Sequence, residues 1–374
     1  MKKQALVILI FLGLLAGVAF FMLQERQFVS EEVSHNEKLV FPGLPVSELN
    51  KLVVSNRFGT LTFLKQGNNW VILEKDNYLA DAARLHDIFS LLAELQSVQK
   101  TEVDESQWER LGVEDPMANG GTGKGCRVDL FGANGYHASL IVGTLQASDS
   151  EASIMFGDEF DGRSFVRIAD SDEVRLVGSS LAFFNTIPSH WIMNILSNPY
   201  AYRRITYVID GEPVWVLNRS SREEPYTIVD GQSGRKNQLL NLTQTVDYAF
   251  ASMFIKDVLP GSFERENGGV TGEHYFELEA LDGFTQRIYL GGKTEMSEQE
   301  RLSEEGATGV LKKVRAGAYR YAFIEWLTER IEPPINEPPY SGRTYLVNGP
   351  KMDDFLINYD EMLVFERLSP SSDN

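Results

Sequence analysis

Apolar and polar positions alternate in short runs after residue 46, and the runs come in two similar series. Glycine, asparagine and polar residues separate the runs, a pattern typical of antiparallel strands joined by tight turns. The strands predicted at the start of the two series are 52–54, 61–64 and 70–72 in the first and 205–208, 214–217 and 226–229 in the second.

Helical spacing follows the opening strands in each series. In the first series the apolar residues recur three and four positions apart, which places them on one face of a helix, and Asp81 is its predicted N-cap. The residues on the two predicted helix faces are Leu85, Ile88, Phe89, Leu92 and Leu95, and in the second series Leu239, Leu242, Val246, Phe250 and Met253.

Each series then continues with a hairpin, a further strand and a short apolar helix. The hairpins turn at Asn134 and at Asp282, each followed by glycine, which is a strong hairpin signal. The predicted strands are 126–130, 138–143 and 164–168 in the first series and 275–279, 287–291 and 310–314 in the second. The closing helices are predicted around 181–184 and 321–327.

The same order of elements thus occurs twice, which favours an internal duplication over an accidental match of common patterns. Because strands and helices are segregated, the sequence predicts an α+β fold of two tandem, largely antiparallel sheet-plus-helix domains. The predicted domains are 46–200 and 201–335. Residues 336–374 are predicted to be a C-terminal segment in which 345–347 and 362–365 are edge strands or a docking tail.

The N-terminus predicts a transmembrane helix. Residues 5–23 carry no charge and would span about 28 Å as a helix, and Lys2 and Lys3 would stay cytoplasmic. The chain is therefore expected in the bacterial inner membrane, with a polar tether at 24–45 and its bulk periplasmic. A signal peptide cleaved after residues 17–19 is the alternative, although the apolar run is long for one.

Net charge and cysteine content exclude some classes of partner and of covalent linkage. The chain carries a formal net charge of −18, and nucleic acid and anionic lipid both require a basic surface, so nucleic acid is not an expected partner. The single cysteine, Cys126, excludes an internal disulfide. It also lies too far from the apolar run for a lipoprotein anchor.

Two loops resemble ligand motifs and depart from them. The glycine-rich run 120–125 lacks the first glycine of a phosphate loop, since Ala118 stands there, and Gly125 replaces the hydroxyl residue that would bind magnesium. The acidic loop 158–162 would place Ala169 where a calcium loop needs its closing glutamate. We interpret both as solvated connectors.

No catalytic, cofactor-binding or metal-binding residue is predicted, and the protein is not expected to be an enzyme. Cys126 lies in a predicted strand and has the character of a buried apolar residue. Asn218 and Asn241 begin chance glycosylation sequons, and the strand aromatics Trp70, Trp215 and Tyr226 are predicted to be core. No two histidines lie close together in sequence: His35, His86, His137, His190 and His274.

Four segments together carry a family resemblance. They contain a tryptophan strand, an Ala-Asp helix start, a Leu-Gly-Val turn closed by proline, and a strand that ends in glycine: 70–72, 79–85, 111–116 and 140–143. The combination resembles an uncharacterised bacterial domain of unknown function found beside ABC transporters of the gliding-motility auxiliary type. Val113 replaces the leucine usual in that family. The resemblance covers residues 46–200 and extends weakly into the second half.

The resemblance implies an envelope protein encoded near an ABC permease and its ATPase, and it supplies no catalytic residues. The leading hypothesis is a non-enzymatic, membrane-anchored accessory or assembly subunit whose partners are ABC permease or auxiliary subunits. A free-standing envelope module that binds glycan or protein is the alternative. A cell-envelope hydrolase is a third hypothesis, which would need convergent acid, base or metal groups.

Overall fold

Two antiparallel sheets of nine strands each make up most of the protein in the computed structural model. The structure describes residues 39–101, 103–118, 123–146, 162–193, 202–251, 253–302, 317–328 and 341–368. One apolar core cluster contains residues of both sheets. The two predicted sheet domains are therefore present, and their cores are continuous.

The first sheet contains strands β1 to β9, all paired antiparallel. Its strands are β1 (Leu49–Asn56), β2 (Gly59–Gln66), β3 (Asn69–Ile72), β4 (Tyr78–Leu79), β5 (Ser97–Thr101), β6 (Cys126–Gly132), β7 (His137–Gln146), β8 (Arg163–Ile168) and β9 (Val174–Val177). The spatial order is β4-β3-β2-β1-β6-β7-β8-β9-β5.

The second sheet contains strands β10 to β18 and is also antiparallel. Its strands are β10 (Tyr202–Ile209), β11 (Glu212–Asn218), β12 (Thr227–Asp230), β13 (Lys236–Gln238), β14 (Ile255–Val258), β15 (His274–Ala280), β16 (Thr285–Thr294), β17 (Tyr319–Trp326) and β18 (Arg343–Asn348). The spatial order is β13-β12-β11-β10-β15-β16-β17-β18-β14.

The two sheets have the same strand order when β1 is matched to β10 and each later strand to its counterpart. Register irregularities also fall at matching places, in three pairs of strands. A bulge inserts an extra residue at a defined point of a ladder, so matching bulges support an internal duplication. The matched pairs are Leu49/Lys51 with Tyr202/Arg204, Val142/Leu145 with Leu290/Lys293, and Ser97/Gln99 with Ile255/Asp257.

In each domain, one helix connects the fourth strand to the fifth strand in sequence and crosses a face of the sheet. In the first domain α1 buries its apolar side chains, and the Asp81 carboxylate accepts a hydrogen bond from the Arg84 backbone N–H at 3.0 Å, which confirms the predicted face and N-cap. The α-helices are α1 (Ala82–Glu94), α2 (Trp108–Leu111), α3 (Thr243–Ala251), α4 (Gly349–Asp353) and α5 (Tyr359–Leu368). Short 3₁₀ helices are Val46–Glu48, Leu73–Lys75, Glu105–Gln107, Ala133–Gly135, Pro188–His190 and Arg265–Gly268.

Three predicted elements have a different structure. Residues 181–184 form an irregular turn, and residues 321–327, predicted as a helix, lie mainly in β17. Residues 362–365, predicted as a strand, belong to α5, which begins with reciprocal hydrogen bonds of 2.9 Å between Asn358 and Glu361. That pair is a capping box, a helix signal that outweighs the apolar run.

The predicted fold class is wrong in two respects: the membrane helix, and the share of helix relative to antiparallel sheet. Among the described residues, most of the regular structure is antiparallel sheet, and no helix is long and apolar enough to cross a bilayer. The longest described helix, α1, has 13 residues and spans about 20 Å, against about 30 Å of hydrocarbon. This finding overturns the single-pass inner-membrane localisation. The segment that suggested it, 5–23, lies outside the described residues.

The predicted tether reaches into the folded part. Residues 24–38 of it lie outside the described residues, but Leu39 pairs with Gln96 beside β5, and the Val40 N–H donates to the Leu95 carbonyl at 2.9 Å. Val40 and Phe41 are buried. At the other end, residues 343–348, which belong to the predicted C-terminal segment, form β18 inside the second sheet.

A glycine in the seventh strand of each sheet allows a neighbouring turn to lie directly on the strand. A Cβ on Gly143 would overlap the Leu111 carbonyl oxygen, and a Cβ on Gly291 would overlap that of Gly268. Both glycines sit at the matched bulges in β7 and β16. The glycines that follow the two turns with left-handed backbone are Gly112 (φ 67°) and Gly269 (φ 71°).

We predict that Gly143→Ala and Gly291→Ala each lower the free energy of unfolding by about 1–3 kcal/mol, because backbone must move to admit the methyl group. Gly178→Ala is the control, since its Cβ would meet only a Val98 methyl at 3.3 Å. Urea denaturation measures all three. A Gly143→Ala loss equal to that of Gly178→Ala would contradict the close-approach argument.

Leu92→Asp is expected to destabilise the protein by roughly 3–5 kcal/mol, because it places an unpaired charge inside the core. Leu92 is 0% exposed on the inner face of α1. His86→Asp introduces the same charge on the exposed face of the helix and should change stability by under about 0.5 kcal/mol. Thermal unfolding compares the two variants, and an unchanged Leu92→Asp midpoint would refute the assigned face.

Candidate functional site

The second domain binds backbone of the first at their junction. The Arg343 guanidinium donates to the carbonyl oxygens of Lys75 at 3.1 Å and Asp76 at 2.9 Å. Next to these bonds, the rings of Tyr78 and Tyr345 meet edge to face with centroids 6.1 Å apart. Both tyrosines are almost fully buried, so the junction is a packed contact between β4 and β18.

The loop that Arg343 binds has an uncommon backbone. After the 3₁₀ helix Leu73–Lys75, both Asp76 (φ 51°) and Asn77 (φ 58°) are left-handed, a region that Asp and Asn tolerate better than other non-glycine residues. The Asp76 side chain also accepts a hydrogen bond from the Gly261 N–H of the second domain. The loop is thus held from both its backbone and its side chain.

The chain between the domains adds a further set of contacts. Trp191 packs on Phe63 with ring centroids 4.9 Å apart, and its carbonyl accepts the Asp81 N–H at 2.8 Å. The Thr186 hydroxyl lies 2.9 Å from Gln299 Oε1 of the second domain. This connecting segment therefore belongs to the junction as well as to the first domain.

A cleft of about 450 Å³ opens beside the junction, a volume within the usual range for binding sites. Residues of both domains line it, including five carboxylates and two lysines: Phe58, Gly59, Thr60, Leu61, Glu74, Lys75, Thr186, Ile187, Pro188, Lys256, Asp257, Glu295, Ser297, Glu298, Gln299, Glu300, Tyr319 and Leu346. The cleft is therefore acidic.

An ion pair joins the two domains within the cleft. Lys75 Nζ lies 2.6 Å from Asp257 Oδ1, with the side chains 15% and 24% exposed. The Val258 N–H also donates to Asp257 at 2.7 Å. Burial raises the pKa of Asp257 because it disfavours the charged carboxylate, and the Lys75 ammonium offsets part of that rise.

The acidic residues on the second-domain side differ in how they are held. Glu300 accepts hydrogen bonds from the Tyr319 hydroxyl at 2.6 Å and the Ser297 hydroxyl at 2.7 Å. Glu295 and Glu298 are exposed. The second-domain wall of the cleft thus combines an ordered carboxylate at Glu300 with solvent-facing carboxylates at Glu295 and Glu298.

Ser139, His137 and Asp129 come together on β6 and β7, although their geometry differs from a catalytic triad. His137 Nε2 lies 3.1 Å from the Ser139 hydroxyl and 3.5 Å from Asp129 Oδ1. A triad histidine uses its two nitrogens for nucleophile and carboxylate separately, whereas here one nitrogen faces both. Asp129 also binds Arg127 through both carboxylate oxygens.

Cys126 lies in β6 with its thiol buried, as expected for a core residue. Burial raises the pKa of the thiol to about 12, so the nucleophilic thiolate is scarce at neutral pH. Trp70, Trp215 and Tyr226 are buried, as predicted.

The remaining candidate residues lie apart. His86 is exposed, His190 Nδ1 lies 2.9 Å from the Asn185 side chain, and His274 Nε2 lies 2.9 Å from the Tyr207 hydroxyl. Within the described ranges, no group of three or more His, Cys, Asp and Glu side chains could hold a metal ion. His35 and the loop segments 119–122 and 158–161 lie outside the described residues.

The sequon at Asn218 precedes a buried ion pair. The Arg219 guanidinium binds the two carboxylate oxygens of Asp247 at 2.8 and 3.0 Å, and it lies over the Tyr226 ring. Burial raises the pKa of Asp247 although Arg219 acts in the opposite direction. These groups join β11 to α3, so their arrangement serves the core of the second domain.

Sequence reasoning missed the cleft. Its lining comes from separate segments between Phe58 and Leu346, and none of these segments matches a local motif. Lys75 and Asp257 lie far apart in the chain and meet only because β4 packs against β18. A contact between distant residues leaves no signal in the periodicity or spacing of one sequence.

We predict that Lys75→Met and Asp257→Asn each lower the free energy of unfolding by about 1–3 kcal/mol, because each removes a partner from a mostly buried pair. The double variant should lose less than the sum of the single losses. Lys124→Met with Glu109→Gln is the control, since that pair is 55% and 64% exposed and should couple by under about 1 kcal/mol. Equal coupling in the two cycles would contradict a structural role for the cleft pair.

Comparison with protein families gives a match that includes strands of both sheets. The family model described as "Domain of unknown function (DUF4340)" matches residues 70–268, more than half of the 374 residues. It runs from β3 to the 3₁₀ helix before β15. No curated protein and no solved structure matches the chain. The protein belongs to the DUF4340 family of domains of unknown function.

Proposed function

We propose that this protein is a non-catalytic accessory subunit of an ABC-type transporter system of the gliding-motility auxiliary kind. It would act by binding a permease or auxiliary subunit through the acidic cleft. The observation that carries the proposal is the junction, where Arg343 and the Lys75–Asp257 pair hold two similar sheet domains around one concave surface. A concave surface between fixed domains is a common place for a binding site.

The turn and the side chains that form the cleft walls are already held in place, which favours recognition of a protein. A site whose walls are already fixed avoids the entropy cost of ordering them when a partner binds. Here the Leu73–Lys75 turn is fixed through Arg343, and Glu300 is fixed through Tyr319. The partner would then bind to preformed walls.

The charge of the cleft indicates the chemistry of the partner segment. Five carboxylates and two ammonium groups line it, and complementary charge increases both the association rate and the specificity of a protein complex. The expected segment is therefore rich in lysine or arginine. The resemblance of residues 46–200 to a family found beside ABC transporters supports a transporter subunit as its source.

Site-specific photo-crosslinking in the native cells tests the proposal. A photoreactive phenylalanine analogue at Glu298, on the cleft rim, is expected to capture an ABC permease or auxiliary subunit, identified by mass spectrometry. The same analogue at Val364, which is 51% exposed on α5 and does not line the cleft, is the matched control. It should capture that subunit at least tenfold less.

A charge reversal then tests the recognition mechanism. Glu295→Lys with Glu298→Lys should reduce the specific crosslink from a probe at Ser297 by tenfold or more, while thermal unfolding shows an intact fold. Capture of a transporter subunit at Val364 but not at the cleft would refute the assigned surface. Capture of no transporter subunit at either position would refute the proposed function and favour a free-standing binding module.

A further inference from the structure

The first-domain wall of the acidic cleft includes an aromatic ring that a ligand can reach. Phe58 lies at the turn between β1 and β2 and is 40% exposed. Its backbone N–H donates to the Asn56 side chain at 2.9 Å, which helps to hold the turn. Tyr319, the other aromatic residue among the described residues that line the cleft, is 5% exposed. Phe58 is therefore the aromatic side chain that the cleft offers to a partner.

One side of the Phe58 ring already carries a guanidinium. Arg57 places its guanidinium over the ring, 4.7 Å from the centroid. Arg57 is not part of the cleft wall, however: both residues line a shallow hollow in the first domain, and of the two only Phe58 also lines the cleft. Arg57 thus lies on the side of the ring away from the cleft, and the side that faces the cleft is open.

Elsewhere the protein repeatedly places an arginine on a ring and a carboxylate together. In three places a guanidinium lies over a tyrosine ring and also binds a carboxylate. Its planar shape allows both contacts, because it stacks through its face and donates hydrogen bonds through its edge. The three sets, with guanidinium-to-centroid distances of 4.3, 4.8 and 4.7 Å, are Arg219 with Tyr226 and Asp247, Arg287 with Tyr275 and Glu277, and Arg235 with Tyr359 and Asp230.

The cleft contains the ring and the carboxylates of such a set without the arginine. Glu74 lies on the same wall as Phe58, and its carboxylate is held by the Thr62 N–H at 2.6 Å. The exposed glutamates of the second-domain wall add further carboxylates. None of the described residues that line the cleft is an arginine, and its two cations are lysines. A guanidinium that completes the set would have to come from a partner.

We propose that the cleft selects arginine over lysine in the partner segment, and that Phe58 determines this preference. A partner arginine would lie on the cleft side of the Phe58 ring and donate to a carboxylate of the cleft wall. A lysine would reach the same carboxylates, but its compact ammonium cannot form the planar stack or the two parallel hydrogen bonds. This inference rests on the proposed function, because it specifies the segment that the acidic cleft binds.

Fluorescence anisotropy of the full chain with labelled hexa-arginine and hexa-lysine peptides tests the preference. The two peptides have the same length and charge, so their general attraction to the carboxylates is matched. We expect both to bind, with hexa-arginine about two- to fivefold tighter, the ratio that corresponds to one cation–π contact at an exposed site. Equal affinities would overturn the inference.

Variants of the ring locate the preference. Phe58→Leu keeps an apolar side chain without a π face and should lower the affinity for hexa-arginine to that for hexa-lysine, which should not change. Phe58→Trp should keep or increase the preference, because tryptophan is the best partner for a cation. Phe254→Leu is the control, since it removes a ring that is 38% exposed outside the cleft lining.

An arginine preference that persists in Phe58→Leu would refute the role of Phe58. The same preference should persist in Phe254→Leu, and its loss there would refute the assignment to the cleft. Thermal unfolding confirms that each variant folds.

A charge reversal separates failure of this inference from failure of the proposed function. Glu295→Lys with Glu298→Lys should weaken both peptides by about tenfold, because both need the carboxylates. If neither peptide binds the unaltered protein, the cleft is not a site for cationic segments, and both proposals fail. If both bind equally and a probe at Glu298 still captures a transporter subunit, the proposed function stands and the selection of arginine alone fails.

Discussion

The junction between the two sheet domains is the contact around which the cleft forms, and the Arg343 guanidinium contributes to it by donating to two backbone carbonyls of the first domain. Carbonyl groups in a loop need hydrogen-bond partners when they are removed from water, and a guanidinium can supply two donors in a fixed geometry. Asp76 and Asn77 adopt left-handed backbone, and the carbonyls of Lys75 and Asp76 both accept from Arg343 of the second domain. The cleft exists where this contact holds the sheets side by side.

Within each domain, the same close approach of backbone to backbone recurs. Gly143 and Gly291 leave room for the backbone of a preceding turn at equivalent bulges. The two domains therefore contain the same close contact between a turn and a strand. They differ in how they complete their helices. Asp81 caps α1 locally, whereas three backbone N–H groups before α3 donate to Glu366 of α5 at 2.8–2.9 Å. Glu366 of the C-terminal helix thereby satisfies amides of the turn that leads into α3, whereas Asp81 satisfies an amide in the first turn of α1.

The acidic cleft takes its walls from both domains. Phe58, which is 40% exposed at the turn between β1 and β2, belongs to the first-domain wall. Glu295, Glu298 and Glu300 belong to the second-domain wall. The surface through which we propose that a cationic segment binds therefore exists only when the two domains are in contact.

The sequence by itself determined the local elements and which faces they bury. The spacing from Leu85 to Leu92 specified the inner face of α1, and alternation with turn residues specified most strands, because both patterns act over a few neighbouring residues. The sequence did not decide whether residues 321–327 form a helix or a strand. An apolar run of that length is compatible with either, and the choice depends on the segments that pack beside it. Only the tertiary structure decided the shared strand order, the junction and the acidic cleft. These arise from contacts such as Lys75 with Asp257, and a pairing between distant residues depends on how the sheets pack, which local patterns do not encode.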